Sequence, residues 1–393
     1  MKRTIRDADV AGKRVLLRAD LNVPLKDGDV ADDTRIRAVL PTITYLRDRG
    51  AMVAVCSHLG RPSGPDPTYS LTPVARRLAD LLGCTVPLMP DCVGEPVLRA
   101  VKAMNREDVI LLENTRFHPE EEANDTAFAK ALAAGFDVFV NDAFGAAHRA
   151  HASTEGVAHL LPAYAGFLLE KELAVLGRLL AKPERPFLAI VGGAKVSSKI
   201  GVLRALAERV DVLAVGGGMG STFLAANGTQ VGRSLREADR EGEARAIAAA
   251  LAKRGGELVL PVDVVVAPSA DAAGAASART VGVDAIPADL MVVDVGPRTL
   301  EHYQRAIAKA KTILWNGPVG VFEVPRFAAG TRRVAELLAR ANATTVVGGG
   351  ESVQAVEELG LTDRMTHVST GGGASLELIE GKTLPGVAAI PDL

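Results

Sequence analysis

Two lysines follow a glycine pair in the segment IVGGAKVSSKIGVL, residues 190–203, and they lie four positions apart, at Lys195 and Lys199. Glycine lets backbone amides approach an anion, and lysine adds positive charge, so this composition is typical of a phosphate-binding turn. The segment has neither the Gly-x4-Gly-Lys-Ser/Thr spacing of a P-loop nor the Gly-x-Gly-x-x-Gly spacing of a dinucleotide site. It therefore predicts a phosphate site of a different kind.

Cationic and hydrogen-bonding side chains gather at the ends of four apolar runs in the first half of the chain. The runs are RVLLRADL (14–21), MVAVCSH (52–58), VILLENTRF (109–117) and FDVFVNDAF (136–144). In or soon after them lie Arg18, Asp20, Asn22, Ser57, His58, Arg61, Asn114, Arg116, Asn141, Asp142 and Arg149. Arginine binds carboxylates and phosphates through paired hydrogen bonds, so this half predicts a site for a small, highly charged anion.

Glycines end the apolar runs of the second half instead. These runs are FLAIVGGAK (187–195), VDVLAVGGG (210–218), TILWNGP (312–318), TTVVGGGES (344–352) and THVSTGGG (366–373). A glycine turn that leads into a helix places backbone amides and the positive end of the helix dipole beside an anion. The second half therefore predicts a nucleotide site.

The apolar runs alternate with stretches of helical periodicity, such as LTPVARRLADLLG and TRRVAELLARA. Runs that are apolar on both faces are typical of parallel strands in a sheet covered by helices. The fold class is therefore α/β, with doubly wound parallel sheets of the Rossmann-like kind. So many strands predict two domains.

The stretch AGFLLEKELAVLGRLLAKP, residues 165–183, is amphipathic and falls near the middle of the chain. We interpret it as an interdomain helix over 166–182, between domains at 1–165 and 183–376; a helix that packs within one domain is the alternative. An anion domain joined to a nucleotide domain suggests a kinase with a hinge-closing cleft that excludes water during transfer.

The composition limits the possible functions. The chain has 393 residues, 48% of them hydrophobic, and a net charge of −2, which argues against a dedicated binder of nucleic acid or of a membrane surface. No apolar run approaches the roughly 18 residues that span a bilayer. The start, MKRTIRDADV, lacks the apolar core of a signal peptide, and the three cysteines follow no metal spacing. We expect a cytoplasmic protein.

Seven segments, in order from about residue 2 to the C-terminus, resemble the phosphoglycerate kinase family: RADLNVP, SHLGRP, LLENTRFHPEE, NDAFGAAHRAHAST, VGGAKVSSKI, WNGPVGVFE and HVSTGGGASLELIEGK. The resemblance implies phosphoryl transfer between 1,3-bisphosphoglycerate and ADP, which yields 3-phosphoglycerate and ATP with Mg²⁺. It also implies a monomer, and a C-terminal segment from about 377 to 393 that packs back on the first domain.

The resemblance assigns residues by motif. It implies that Arg35, Lys195 and Lys199 are catalytic, with Arg35 reaching toward the carboxyl group where transfer occurs. The implied phosphoglycerate contacts are Asp20, Asn22, Arg35, His58, Arg61, Arg116 and Arg149. The implied nucleotide contacts are Gly193, Lys195, Lys199, Gly217, Gly218, Asn316, Pro318, Glu323, Gly349, Gly350, Glu351 and Ser352, with a phosphate loop at Gly371, Gly372 and Gly373.

The sequence departs from the family pattern in three places. Glu351 stands where the family usually has aspartate, so its contact with the metal–nucleotide is expected to be longer or bridged by water. Gly220-Ser221 replaces alanine and a larger residue, which predicts looser packing by the base, and Val292 replaces a glycine that often lies against adenine. We expect Glu351 to contact Mg²⁺ directly or indirectly, and the nucleotide phosphates to hold most of the ion.

Two other interpretations remain open from the sequence. An NAD-dependent dehydrogenase could use the same sheets, although its Gly-x-Gly-x-x-Gly motif is missing. A non-enzymatic anion-binding protein could retain the fold without turnover, although Lys195, Arg35 and Arg149 are all present. His148 and His151 flank Arg149, and we expect them to have positioning or packing roles, while His159 and Trp315 are expected to be structural.

Overall fold

Each apolar run named above forms a strand in the computed structural model, which describes residues 1–393. The strands, in chain order, are β1 Arg14–Arg18, β2 Leu25–Lys26, β3 Asp29–Val30, β4 Met52–Cys56, β5 Val109–Leu111, β6 Val138–Asn141, β7 Ala163–Ala165, β8 Phe187–Val191, β9 Val212–Val215, β10 Glu257–Val259, β11 Asp263–Ala267, β12 Arg279–Gly282, β13 Met291–Val295, β14 Thr312–Asn316, β15 Thr344–Gly348 and β16 His367–Val368.

Helices fill most of the connections between the strands. In chain order they are α1 Thr34–Asp48, α2 Thr72–Leu82, α3 Glu95–Ala103, α4 Pro119–Glu122, α5 Thr126–Ala133, α6 Phe167–Ala181, α7 Ile200–Ala207, α8 Gly217–Ala226, α9 Glu241–Lys253, α10 Ala272–Ala275, α11 Pro297–Lys309, α12 Ala329–Ala339, α13 Gly350–Glu358, α14 Gly372–Ile379 and α15 Pro385–Ala388. None of them is both long and apolar enough to cross a membrane.

The chain forms two units, one of Met1–Ala174 with Thr383–Leu393 and the other of Val175–Lys382. The division falls inside α6, eight residues after its start at Phe167, and not at its ends. The C-terminal segment that belongs with the first unit begins at Thr383, later than the expected 377, because position 377 lies within α14 of the second unit.

The first unit is built on a parallel sheet with the strand order β5-β4-β1-β6-β7. Side chains alternate across a strand, and in β1 Val15 and Leu17 pack into one core while Leu16 packs into the other. Helices α1 and α2 supply apolar residues to the first of these cores, and α3 and α5 supply them to the second. Both faces are covered, as the apolar strands predict.

The second unit is built on a parallel sheet with the order β10-β9-β8-β14-β15-β16. Its core includes Leu188 and Ile190 of β8 and Ile313 and Trp315 of β14, with α11 and α12 packed against them. The two parallel sheets confirm the predicted α/β class. Trp315 is fully buried, and its indole N–H donates to the carbonyl of Gly317 at 2.9 Å, so it has a structural role.

Two small sheets were not predicted. Strands β12, β11 and β13 form an antiparallel sheet in the second unit, and β2 and β3 form a two-stranded hairpin in the first. The run MVVDV at 291–295 is apolar enough to be a strand, but RTVG at 279–282, the other outer strand of that sheet, is short and half polar. A four-residue run of that kind carries no periodicity by which it could be recognised.

Candidate active site

Each of the two parallel sheets has one topological switch point, where successive strands are added on opposite sides of the first strand. In the first sheet this place lies between β1 and β6, and in the second it lies between β8 and β14. Ligands of open α/β sheets bind beyond the carboxyl ends of the strands at such a place. The strands end there at Arg18 and Asn141 in the first sheet, and at Val191 and Asn316 in the second.

In the first unit, the loop after β1 is tied to α1 and to the loop after β4. Arg35 of α1 donates from Nη1 to both carboxylate oxygens of Asp20, at 3.0 Å each. Asn22 accepts a hydrogen bond from the backbone N–H of Gly60 through its Oδ1, at 2.8 Å. Three predicted substrate residues, from two separate segments, are therefore held at this edge of the sheet.

Arg116 belongs to the same group of cations and is buried. Its Nη1 donates to the carbonyl of Gly60 at 2.7 Å, and its Nε lies 3.1 Å from the carboxylate of Glu122. Burial lowers the pKa of Arg116, and the charges of Arg149 and Arg18 lower it further, although Glu122 opposes them. The cations are thus close enough to act on one another, which is expected of a site made for an anion.

The other two arginines predicted to bind phosphoglycerate, Arg149 and Arg61, are more accessible to solvent than Arg116. Arg149 is half-buried, and its Nε donates to Nε2 of His148 at 3.3 Å. Arg61 is exposed and lies two residues after Leu59. The side chain of Asn114 holds Leu59 in place, because it accepts a hydrogen bond from the Leu59 N–H and donates one to the Leu59 carbonyl. The structure therefore places Arg61 on an anchored loop, with its side chain in solvent.

The histidines of this unit differ in their surroundings. Burial, followed by the charges of Arg18, Arg116 and Arg35, holds the pKa of His58 well below its ordinary value. Burial and the charge of Arg116 lower the pKa of His151 to about 4. His159 is exposed and pairs with Glu155 at 2.5 Å on the same helical turn, so it has a structural role.

Behind the cations lie two residues that the sequence analysis missed. The side chain of Ser153 accepts a hydrogen bond from Arg18 at 2.7 Å and donates to Glu121 at 2.5 Å, and both Ser153 and Glu121 are fully buried. Glu121 is the middle residue of a run of three glutamates, a pattern that usually predicts an exposed face. The only sequence signal for these two residues was Arg18 at the end of a buried strand, because a buried charge needs a polar or charged partner.

In the second unit, Lys199 lies at the topological switch point between β8 and β14. Its Nζ donates to the carbonyl of Gly192 at 2.9 Å and to that of Asn316 at 3.3 Å, so it bridges the ends of β8 and β14. Burial lowers the pKa of Lys199 to about 8, and the negative charge of Glu351 opposes that shift. Lys195 is exposed in the turn before α7.

Asn316, at the end of β14, is the clearest sign of a ligand in this unit. Its side chain is buried, yet neither Oδ1 nor Nδ2 has a hydrogen-bond partner within the protein. Buried polar groups are normally paired, and an unpaired amide at a strand end suits a ligand with polar groups of its own. A Cβ at Gly349 would lie 3.2 Å from Nδ2, so a side chain there would crowd the amide.

The predicted glycines surround this position. Gly349 precedes α13, and Gly317 follows β14; both have a left-handed φ, of 89° and 93°, that favours glycine. A Cβ at Gly217 would lie 2.8 Å from the carbonyl oxygen of Gly193, and one at Gly218 would lie 2.4 Å from that of Ala194. The start of α8 is therefore packed too closely to admit a side chain at Gly217 or Gly218, whereas Gly349 before α13 is favoured mainly by its left-handed φ.

The other predicted nucleotide residues are placed as follows. Pro318 follows Gly317, and its carbonyl oxygen would lie 2.0 Å from a Cβ at Gly192. Glu323 is exposed in the turn segment after β14, and Gly371 to Gly373 lie at the start of α14. Glu351 is exposed in the first turn of α13, next to Gly350, which is that helix's first residue.

The departures at 220, 221 and 292 lie in ordered elements. Ser221 and Gly220 are buried in α8, where a Cβ at Gly220 would lie 3.4 Å from the carbonyl oxygen of Val215. Val292 is half-buried in β13, and its N–H donates to Ser234 Oγ at 2.8 Å. That distance is an ordinary contact, so the structure does not explain the absence of alanine at 220.

Comparison with known proteins identifies the family of this chain. The phosphoglycerate kinase family model matches residues 5–382. Curated phosphoglycerate kinases of Pelotomaculum thermopropionicum and Rubrobacter xylanophilus are 57% and 58% identical over 392 residues, covering all of this chain and 99% and 98% of those proteins. The chain belongs to the phosphoglycerate kinase family. The predicted family, enzyme class and reaction are confirmed, and the dehydrogenase and non-enzymatic interpretations are wrong.

Solved structures of phosphoglycerate kinases share the fold over the whole chain. The structure from Coxiella burnetii has a TM-score of 0.89 and 42% identity, and covers 99% of both chains. The structure from Pyrococcus horikoshii has a TM-score of 0.87 and 34% identity, and covers 99% of this chain and 98% of that one. Phosphoglycerate kinases transfer a phosphoryl group reversibly between a carboxyl group of the glycerate and ADP.

The environment of Lys199 predicts a measurable titration. We expect the Lys199 amine, observed by NMR after isotopic methylation of lysines, to titrate near pH 8. A Glu351→Gln substitution removes the charge that opposes the shift, so the amine should then titrate at lower pH. Titration at the ordinary value for lysine, or an upward shift in the variant, would contradict this account of the site.

Proposed function

We propose that the first unit binds the phosphoglycerate, that the second unit binds the nucleotide, and that Arg35, Lys195 and Lys199 stabilise the phosphoryl group during transfer. The observation that carries this proposal is the place of Lys199. Its ammonium group bridges two strand ends beside the unpaired Asn316 amide and the glycine turns, where backbone amides can receive phosphate. In the first unit, Arg35, Arg116, Arg149 and His58 offer donors to a smaller anion.

In the direction that consumes ATP, a carboxylate oxygen of 3-phosphoglycerate attacks the γ-phosphorus. The new P–O bond forms as the bond to the bridging β–γ oxygen breaks, and that electron pair leaves with ADP. A carboxylate has a reference pKa of about 4, so it is ionised near neutral pH and no general base is needed. What the protein must supply is orientation and positive charge around the transferring group.

The residues of the second unit fit Mg²⁺ that is held mainly by nucleotide phosphates. Glu351 offers an exposed carboxylate, whereas Ser352 Oγ is already engaged, since it accepts from Gly317 N–H at 2.7 Å and donates to Gly348 at 2.9 Å. Mg²⁺ commonly binds one or two carboxylates together with substrate phosphates. When bound, the ion would neutralise phosphate charge. We further propose that Glu351 approaches it directly or through water.

The remaining features of the proposal rest on the sequence and on what the family resemblance implies. We propose that the enzyme acts as a cytoplasmic monomer on its two small substrates with Mg²⁺, and that it has no nucleic-acid or membrane partner. We also propose that the residues before α6, with the C-terminal segment, constitute the phosphoglycerate domain, and that the residues after α6 constitute the nucleotide domain. Domain closure by a hinge remains a prediction.

Lys195→Ala should lower kcat by about 10²–10³-fold, the scale for losing one donor that stabilises charge in a transition state. The measurement is ATP-dependent phosphorylation of 3-phosphoglycerate, coupled to NADH oxidation through glyceraldehyde-phosphate dehydrogenase. Lys253→Ala is the matched control, because Lys253 is an exposed lysine of the same unit, in the last turn of α9. An unchanged kcat in folded Lys195→Ala protein would remove Lys195 from the mechanism.

Arg61→Ala should raise the KM for 3-phosphoglycerate by about tenfold, the scale of one charge-assisted hydrogen bond, and should raise the KM for ATP less. The same coupled assay, with each substrate varied in turn, gives both constants. Arg99→Ala is the control, since Arg99 is an exposed arginine on α3 of the same unit. Equal effects of Arg61→Ala on both constants would contradict the assignment of the phosphoglycerate to the first unit.

A further inference from the structure

A chain of buried hydrogen bonds runs from His58 through Arg18 and Ser153 to Glu121. Arg18 is 1% exposed, and its Nη2 lies 3.1 Å from Nδ1 of His58. Its Nε donates to Ser153 Oγ at 2.7 Å, and its Nη1 donates to the carbonyl of Ala19. Ser153 Oγ lies 2.5 Å from one oxygen of Glu121, and the backbone N–H of Ser153 donates to the other at 2.9 Å.

The guanidinium group of Arg18 and the carboxylate of Glu121 fix the direction of every hydrogen bond in this chain. A guanidinium group can only donate, and an ionised carboxylate can only accept. Ser153 Oγ must therefore accept from Arg18 and donate to Glu121. At the other end, Nδ1 of His58 must accept from Arg18. The proton of a neutral His58 then belongs on Nε2, because a neutral imidazole carries one proton and Nδ1 has none.

The charges that face His58 keep it neutral. They are Arg18 on β1, Arg116 in the turn after β5 and Arg35 on α1; His151 in the loop after β6 also faces the ring but is uncharged near neutral pH, since its own pKa is about 4. These charges and the burial of the ring all disfavour the imidazolium form, so the pKa of His58 is well below its ordinary value. The opposite tautomer, with its proton on Nδ1, would set two donors against each other at 3.1 Å in a buried place.

We propose that Arg18, Ser153 and Glu121 are positioning residues that fix His58 as its neutral Nε2–H tautomer, so that the ring offers a hydrogen-bond donor to the phosphoglycerate. The step to substrate rests on the proposed function of the first unit. Glu121 balances the buried charge of Arg18 through the Ser153 hydroxyl and leaves the guanidinium in place behind the ring. The backbone of His58 is held separately, because Ser57 Oγ accepts from Leu21 N–H at 2.9 Å and donates to the His58 carbonyl at 3.2 Å.

The first test is spectroscopic and needs no substrate. Long-range ¹H–¹⁵N spectra of the full chain with labelled histidine distinguish a protonated from an unprotonated ring nitrogen. We expect wild-type His58 to show an unprotonated Nδ1 and a protonated Nε2 throughout pH 6 to 8. In Arg18→Met, the two tautomers should mix, and the ring should begin to take up a second proton toward pH 6. A protonated Nδ1 in the wild type would overturn the proposal.

The second test is kinetic and uses the same variants. Arg18→Met should raise the KM for 3-phosphoglycerate by about tenfold at pH 8, the scale of one hydrogen bond to a charged group. It should recover part of that loss at pH 6, where a protonated ring again donates from Nε2. The KM for ATP should not follow this pattern. A purely structural defect would raise both constants, without recovery at low pH, and that result would overturn the proposal.

A milder variant guards against misfolding of Arg18→Met. Ser153→Ala leaves Arg18 Nε without its acceptor, so it should produce the same spectral and kinetic changes to a smaller extent. Thr345→Ala is the control, because it removes a buried hydroxyl from β15 in the second unit and should change neither His58 nor the KM for 3-phosphoglycerate. Both variants could lose the Nε2–H tautomer without any change in the KM for 3-phosphoglycerate. That result would confirm the hydrogen-bond chain but exclude the contact between His58 and substrate. The failure would then lie in the proposed function of the first unit.

Discussion

Positive charge held in place by neutral acceptors is the constraint on which this structure depends. Lys199 is anchored by the carbonyls of Gly192 and Asn316, and Arg18 by Ser153 Oγ, the Ala19 carbonyl and Nδ1 of His58. A neutral anchor fixes a cation without pairing it directly with an anion, so the charge of Lys199 remains available to a bound anion, while that of Arg18 is balanced by Glu121 through Ser153. The direct ion pairs of Arg35 with Asp20 and of Arg116 with Glu122 are the exceptions, and a substrate carboxyl group at Arg35 would share it with Asp20.

The parallel sheets make this arrangement possible. Their strands end at one edge, and each sheet has a single place where strands are added on opposite sides, so side chains from distant segments meet there. In the first unit, the residues that meet are mainly arginines and histidines, and in the second they are glycines, Lys199 and Asn316. Since the attacking group is already ionised, the reaction needs no proton acceptor from either set, which explains why a neutral His58 is compatible with catalysis.

The sequence predicted the parallel sheets and the polar strand ends because both depend on local patterns: apolar runs of strand length, followed by arginine or glycine. It could not place Glu121, because three consecutive glutamates give no sign that one of them is buried. It also missed the antiparallel sheet of β11 to β13, whose weakest strand is four residues long. The unpaired amide of Asn316 is likewise a property of the fold, since only packing around a strand end decides which buried group lacks a partner.

The central claim is that each unit binds its own ligand, and calorimetry on the full chain tests it most directly. Arg149→Ala should weaken 3-phosphoglycerate binding by about tenfold and leave Mg²⁺·ADP binding unchanged, whereas Lys199→Ala should do the reverse. The expected result is therefore two separate losses, one for each variant. If either variant weakened both ligands equally, or if the losses were exchanged between the two variants, the assignment of the ligands to the two units would be wrong.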